Sequence, residues 1–152
     1  MRTRFLAVAA SLGLVAGAVL APTAATAASV DSQSNFLPFS FTRLTGAAEV
    51  PGPGDPDGRG FAFVRWDADE GTICYNVFVR RIAPATAAHI HVGDEDTAGP
   101  VVQALEAPTD GYSAGCVDND ALATALDANP DNYYVNVHNA DFPAGAVRGQ
   151  LG

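Results

Sequence analysis

The chain has 152 residues, no lysine, and 8 arginines against 17 acidic residues, for a net charge of −9. A field of that sign opposes a phosphate backbone, so nucleic acid is excluded as an expected partner. The absence of lysine also removes phosphate-loop and Schiff-base chemistry.

Residues 1–27 open with Arg2 and Arg4, continue through an uncharged apolar run over 5–20, and end in the small residues Ala25-Thr26-Ala27. This is the pattern of a secretory signal peptide. The apolar run is shorter than the ~20 residues that cross a bilayer. Cleavage near Ala27 is therefore expected over retention as a membrane anchor, and no later segment is apolar enough to span. Cleavage removes two arginines, leaving 6 against 17 acids and a net charge of −11. The mature chain, about 120 residues, suits one domain with a modest core in a secreted, extracellular protein.

Residues 28–35 are a polar, flexible lead, and the domain runs over 36–152. The segment 39–44 alternates as a half-buried strand and gives way to the Pro- and Gly-rich surface loop 51–58. Segments 60–66 and 72–80 are the clearest strands, joined by the acidic turn 67–71 as a hairpin, with Ile73, Tyr75, Val77 and Val79 on one face. Trp66 reads as packing. Strands over 88–92 and 99–105 follow, joined by Gly93-Asp94-Glu95-Asp96-Thr97-Ala98. The oxygens of that link suggest calcium, but their spacing departs from the twelve-residue helix–loop–helix site, and a solvated turn is the expectation. A single short helix is predicted over 118–128, capped by Asp118, with Leu122 and Leu126 on one side and Pro130 ending it. Strands over 133–138 and 146–151 complete the set. Seven to eight short strands with little helix predict an all-β, antiparallel Greek-key β-sandwich.

Cys74 and Cys116 are the only cysteines, and in an exported protein an even pair predicts a disulfide. Closing a loop of roughly 43 residues adds about 4 kcal/mol by chain entropy. The alternative is a pair of free thiols or thiolate ligands; if bonded, they leave metal chemistry to the histidines.

All three histidines fall in two strand segments. Side chains at i and i+2 share a face, so His89 and His91 project together while Ile90 and Val92 take the other side. If Val135 and Val137 enter the core, Asn136 and His138 point outward from the second segment. One reading is a metal site of His89, His91 and His138. The other is three surface histidines that hydrogen-bond and pin the strand ends. No catalytic residue is assigned: Gly-x-Ser-x-Gly is absent, and Ser40 and Ser113, the only serines of the domain, lie in no recognisable motif.

Five blocks in order carry a family resemblance. They are Leu44-Thr45-Gly46-Ala47-Ala48-Glu49-Val50-Pro51, Gly58-Arg59-Gly60-Phe61-Ala62, Ala87-Ala88-His89-Ile90-His91-Val92-Gly93, Gly99-Pro100-Val101-Val102, and Tyr134-Val135-Asn136-Val137-His138 with the closing run from Phe142 to Leu151. They resemble the CHRD domain, which occurs as single secreted bacterial domains and as repeats in chordin, a developmental antagonist of growth factors. The resemblance covers essentially residues 36–152 and implies a fold and an extracellular setting more than an activity.

The order His89-Ile90-His91, Gly93-Asp94, His138, then Arg148 is also similar to copper/zinc superoxide dismutase. That resemblance implies His89, His91 and His138 as copper ligands. A dinuclear site is excluded, because the chain has no fourth histidine. A three-imidazole site favours copper(II) over zinc by affinity order. Asn136, Asp94 and Arg148 are the candidates for orienting the rings, and only the first two can accept a hydrogen bond from an imidazole. Two functions follow from these resemblances: a secreted CHRD module that binds an extracellular protein or polymer, with or without one metal ion, and a mononuclear copper redox protein with superoxide dismutase-like activity.

Overall fold

A computed structural model of the chain describes residues 36–152; the expected signal peptide over 1–27 and the lead over 28–35 lie outside the described residues. Eight strands appear in chain order: β1 (Phe39–Thr45), β2 (Arg59–Asp67), β3 (Thr72–Arg80), β4 (Ala85–Val92), β5 (Val101–Leu105), β6 (Tyr112–Asp118), β7 (Tyr133–Asn139) and β8 (Val147–Gln150). One α-helix, α1 (Asp120–Ala128), lies between β6 and β7. Every strand pairing is antiparallel, as the all-β expectation requires. No helix among the described residues is long and apolar enough to cross a membrane.

Period-two alternation accounts for the longest pairing. In β2, Ala62, Val64 and Trp66 are buried while Phe61 and Arg65 face out; in β3, Ile73, Tyr75, Val77 and Val79 are buried, the face read from the sequence. The two strands pair from Arg59↔Arg80 to Asp67↔Thr72, across the acidic turn. Sinking each inward Ile or Val stabilises the fold by about 1.5–3 kcal/mol. A slip of one residue would expose the whole set, so burial also holds the register.

The strands form one eight-stranded sheet in the order β5-β4-β7-β8-β1-β2-β3-β6. Its halves enclose a single core to which Ile90, Val135, Val137 and Val147 contribute from one side and Leu44, Val64, Ile73 and Val77 from the other. The halves of the expected sandwich are thus joined edge to edge, at the single register pair Thr45↔Arg148, and the body is close to a barrel. This wrapping puts β4, β7 and β8 side by side, with their outward side chains on one face.

Two local expectations are corrected. Residues 112–118, for which the pattern predicts no strand, form β6: among them only Ser113 is buried, and no apolar alternation marks them. The helix begins at Asp120, not 118: Asn119 Oδ1 accepts from Leu122 N and caps it. Asp118 instead ends β6 opposite Thr72, whose hydroxyl it accepts at 3.4 Å. Leu122 and Leu126 are both buried, as their spacing predicts.

Cys74 and Cys116 form the disulfide, directly opposite each other on β3 and β6. The bond ties β6, an edge strand with almost no apolar contribution of its own, to its neighbour β3, whose inward face is buried in the core. The double variant Cys74→Ala/Cys116→Ala is expected to lose about 2–4 kcal/mol, the two cysteines being separated by 42 positions in the chain. Urea unfolding followed by tryptophan fluorescence measures it; an unchanged midpoint would refute the staple.

Candidate metal centre

His89 and His91 leave β4 on the same outward face, with Ile90 between them fully buried. The neighbouring β7 is paired so that His89 lies opposite Asn136, His91 opposite Tyr134, and His138 opposite Ala87. The three rings meet across this seam, with centroids 5.6 Å apart for His89 and His91, 5.0 Å for His89 and His138, and 6.1 Å for His91 and His138. One nitrogen from each ring lies within 4.8 Å of the others.

The hydrogen bonds select which nitrogens are free. His91 Nδ1–H donates to the Gly99 carbonyl at 2.9 Å, and His138 Nδ1–H donates to the Pro143 carbonyl at 3.1 Å. Each bond leaves Nε2 as a bare lone pair, and His91 Nε2 is buried without a partner. The third nitrogen is His89 Nδ1, 3.1 Å from His138 Nε2. Two lone pairs at that distance repel, so this pair holds either a proton or a cation between its nitrogens. An ion bound at ~2.0–2.1 Å from each would set nitrogens about 2.9–3.4 Å apart, from right-angle to tetrahedral geometry. The pair lies in that range, and the donor set fits a borderline transition metal.

Burial lowers the pKa of all three histidines. The other imidazoles lower His89 and His138 further, and Arg148 lowers His91; the carbonyl bonds to His91 and His138 act the opposite way without reversing the shift. The rings are therefore neutral at pH 7, the form that ligates.

Of the three residues expected to orient the rings, neither Asn136 nor Asp94 bonds to an imidazole. Asn136 faces Glu49, and the Asp94 side chain caps its own turn. The acceptors are backbone carbonyls, which leave no mark in a sequence. Arg148 acts through an intermediary: its guanidinium lies 3.5 Å above the Tyr134 ring, and that ring stacks on His91 at 4.8 Å and 11°. Its nitrogens donate to the Thr97 carbonyl at 3.1 Å, the Asp94 carbonyl and Gln150 Oε1. The Tyr134 hydroxyl meets Gly99 O at 3.3 Å, the same carbonyl that fixes His91. Arg148 thus holds the loop 93–99 to the sheet, and that loop presents the acceptor that sets the His91 tautomer.

Glu49 was not among the residues singled out from the sequence. It is buried beside the seam, accepts from Asn136 Nδ2 at 3.2 Å through Oε2, and leaves Oε1 without a partner. A Cβ at Gly145, whose φ is +153, would collide with this carboxylate. Desolvation pushes its pKa up to about 7 from 4.5, against the opposing pull of Asn136 and Arg148. The folded state therefore holds this proton more tightly than the unfolded chain. The resulting stability is complete below about 4.5 and lost as the pH rises through about 7. Relative to the parent, Glu49→Gln should gain stability between pH 5 and pH 8 in urea unfolding, and a constant difference would contradict the raised pKa.

The family model for the CHRD domain matches residues 40–151. The chain belongs to the CHRD domain family. Comparison with curated proteins and with solved structures finds no significant match. In this CHRD domain the blocks that carried the resemblance come together around the histidines: the first supplies Glu49, the third His89 and His91, and the last Tyr134, Asn136, His138 and Arg148. The superoxide dismutase resemblance rests on residue order alone.

Proposed function

We propose that this CHRD domain is an extracellular binding module that holds one copper(II) ion through His89 Nδ1, His91 Nε2 and His138 Nε2. The observation that carries the reading is the buried, unpartnered Nε2 of His91, on a ring that meets two other imidazoles with one ligating nitrogen from each inside 4.8 Å. An orphaned buried acceptor costs about 1–3 kcal/mol, and a cation at this point removes the cost. Three imidazoles leave further coordination positions to water or to a partner group, and the affinity order favours copper over zinc. Export, expected from residues 1–27 and consistent with the disulfide, places the domain where copper(II) is the stable ion.

Titration of the purified mature protein with copper(II) at neutral pH, against a chelator of known affinity, tests this. A tight one-to-one site with nitrogen hyperfine structure in its electron paramagnetic resonance spectrum is the expected result. Failure to bind, or binding that survives loss of all three histidines, would overturn it. The second reading, redox catalysis, is favoured by the open coordination positions. It requires superoxide consumption by the loaded protein above that of the same concentration of free copper.

A further inference from the structure

The half of the sheet away from the histidines carries an unusual outer face. Phe39 and Phe41 of β1, Phe61 and Phe63 of β2, Phe78 of β3 and Tyr112 of β6 all point outward, where alternation ordinarily places polar residues. They form one continuous field: Phe39 meets Phe63 at 5.3 Å, Phe41 meets Phe61 at 5.4 Å, Phe61 pairs across the sheet with Phe78, and Phe78 meets Tyr112 at 4.5 Å. Phe39, Phe41, Phe78 and Tyr112 are each at least half exposed and Phe61 is 41% exposed. Their open portions amount to about 500 Å², near the upper end of what a monomer leaves in one patch.

Charge is distributed along this face with a direction. Arg43, Arg59 and Arg80 stand at one end, where β1 finishes and β2 begins, with Arg81 just beyond. Asp57 and Asp110 adjoin them in the loops. At the other end lie Asp67, Asp69, Glu70 and Asp118, against Arg65 alone. Four of the six arginines of the mature chain are thus on an outer face of an otherwise acidic protein, and most are at one end of it. A two-fold axis through the aromatic field would lay the basic end of one copy over the acidic end of the other, and ring against ring between them. Such a face is self-complementary, as an isologous interface requires. With its arginine stems and acidic rim it approaches the ~800 Å² per partner of a stable interface.

We infer that the outer face of β1-β2-β3-β6 binds a second copy of this chain, sheet on sheet, to form a two-fold dimer. The histidine seam lies on the other half of the sheet and is not covered by it, so the inference stands apart from the metal reading.

Sedimentation equilibrium of the mature protein from about 1 µM to about 1 mM tests this, in low salt and at about 0.5 M salt. The parent should dimerise in low salt and less so in high salt. Phe41→Ser with Phe61→Ser should raise the dissociation constant at least about tenfold, with the urea midpoint showing that the fold persists. Arg43→Glu with Arg80→Glu should weaken the dimer, and adding Glu70→Arg with Asp118→Arg to that variant should restore it, which a merely structural role would not produce. A monomer throughout the range would overturn the inference. So would a dimer indifferent to both pairs of substitutions, or a monomer that uses these rings to adsorb to anionic vesicles or an acidic polysaccharide instead.

Discussion

His91→Ala is expected to weaken copper(II) binding by more than about 100-fold at neutral pH, the largest effect of any single substitution at the centre. Loss of a partner one step removed from a metal already costs about 10–100-fold, and in the proposed site His91 would contribute a ligand atom itself. Its ring is also the most constrained of the three: Nδ1–H is held by Gly99, one face is covered by Tyr134, and Nε2 is buried with no other partner. The pH dependence follows from the lowered pKa values. Because the rings stay neutral below the ordinary histidine range, binding should persist below pH 6.5 and fail only as the pH drops through the lowered values, when protons displace the ion. Chelator competition across a pH series measures both effects. Parent-like affinity in His91→Ala would remove this ring from the ligand set.

Arg148→Met should cost about 3–5 kcal/mol of stability and, in addition, about 10–100-fold in copper affinity. The side chain is only 1% exposed and is a charge held by two backbone carbonyls, one amide oxygen and a ring face. Methionine keeps most of the volume, so the loss reflects stranded acceptors and a released loop more than a cavity. Without the guanidinium, the loop 93–99 no longer presents Gly99 O to His91 in a fixed position. A urea midpoint shift of ~2 M is the stability readout, and the copper spectrum reports the histidine geometry. Unchanged stability would show that Tyr134 and Gln150 suffice to hold the loop.

The alternating segments were legible because one side of each had to enter the core. β2 and β3 carry Ala, Val, Ile, Trp or Tyr at every second position, and their burial follows that order; in β7 Val135 and Val137 enter the core as their spacing predicts, but Tyr134 and Asn136 on the other face are covered as well. β6 carries no such signal, because the disulfide and its pairing to β3 hold it, and neither leaves an apolar pattern. The true helix cap, Asn119, stood beside an equally plausible Asp118, and only the demand of the β3–β6 ladder decided between them.

The candidate site was partly readable for the same reason. His89 and His91 share a face by the two-residue repeat of a strand, which is local and therefore visible in the chain. Whether His138 joins them depends on β4 and β7 being neighbours and on their register, Ala87↔His138 with His89↔Asn136, which no local pattern states. Glu49 reaches the seam from a loop 87 residues from Asn136 in the chain, and Gly99 and Pro143 act through their carbonyls, so although all three lie in the blocks that carry the family resemblance, no local spacing marked their roles.

Composition and patterning by themselves determined the strand class, the disulfide pair, the acidic balance and the inventory of three imidazoles, because each depends on residue identity or on spacing within one segment. Tertiary structure alone decided that β4 and β7 lie side by side, that Arg148 grips the loop above His91 and not an outside ligand, and that phenylalanines from separate strands make one exposed field. These depend on the order of strands in the sheet, which is set by how the whole core closes and not by any stretch of chain.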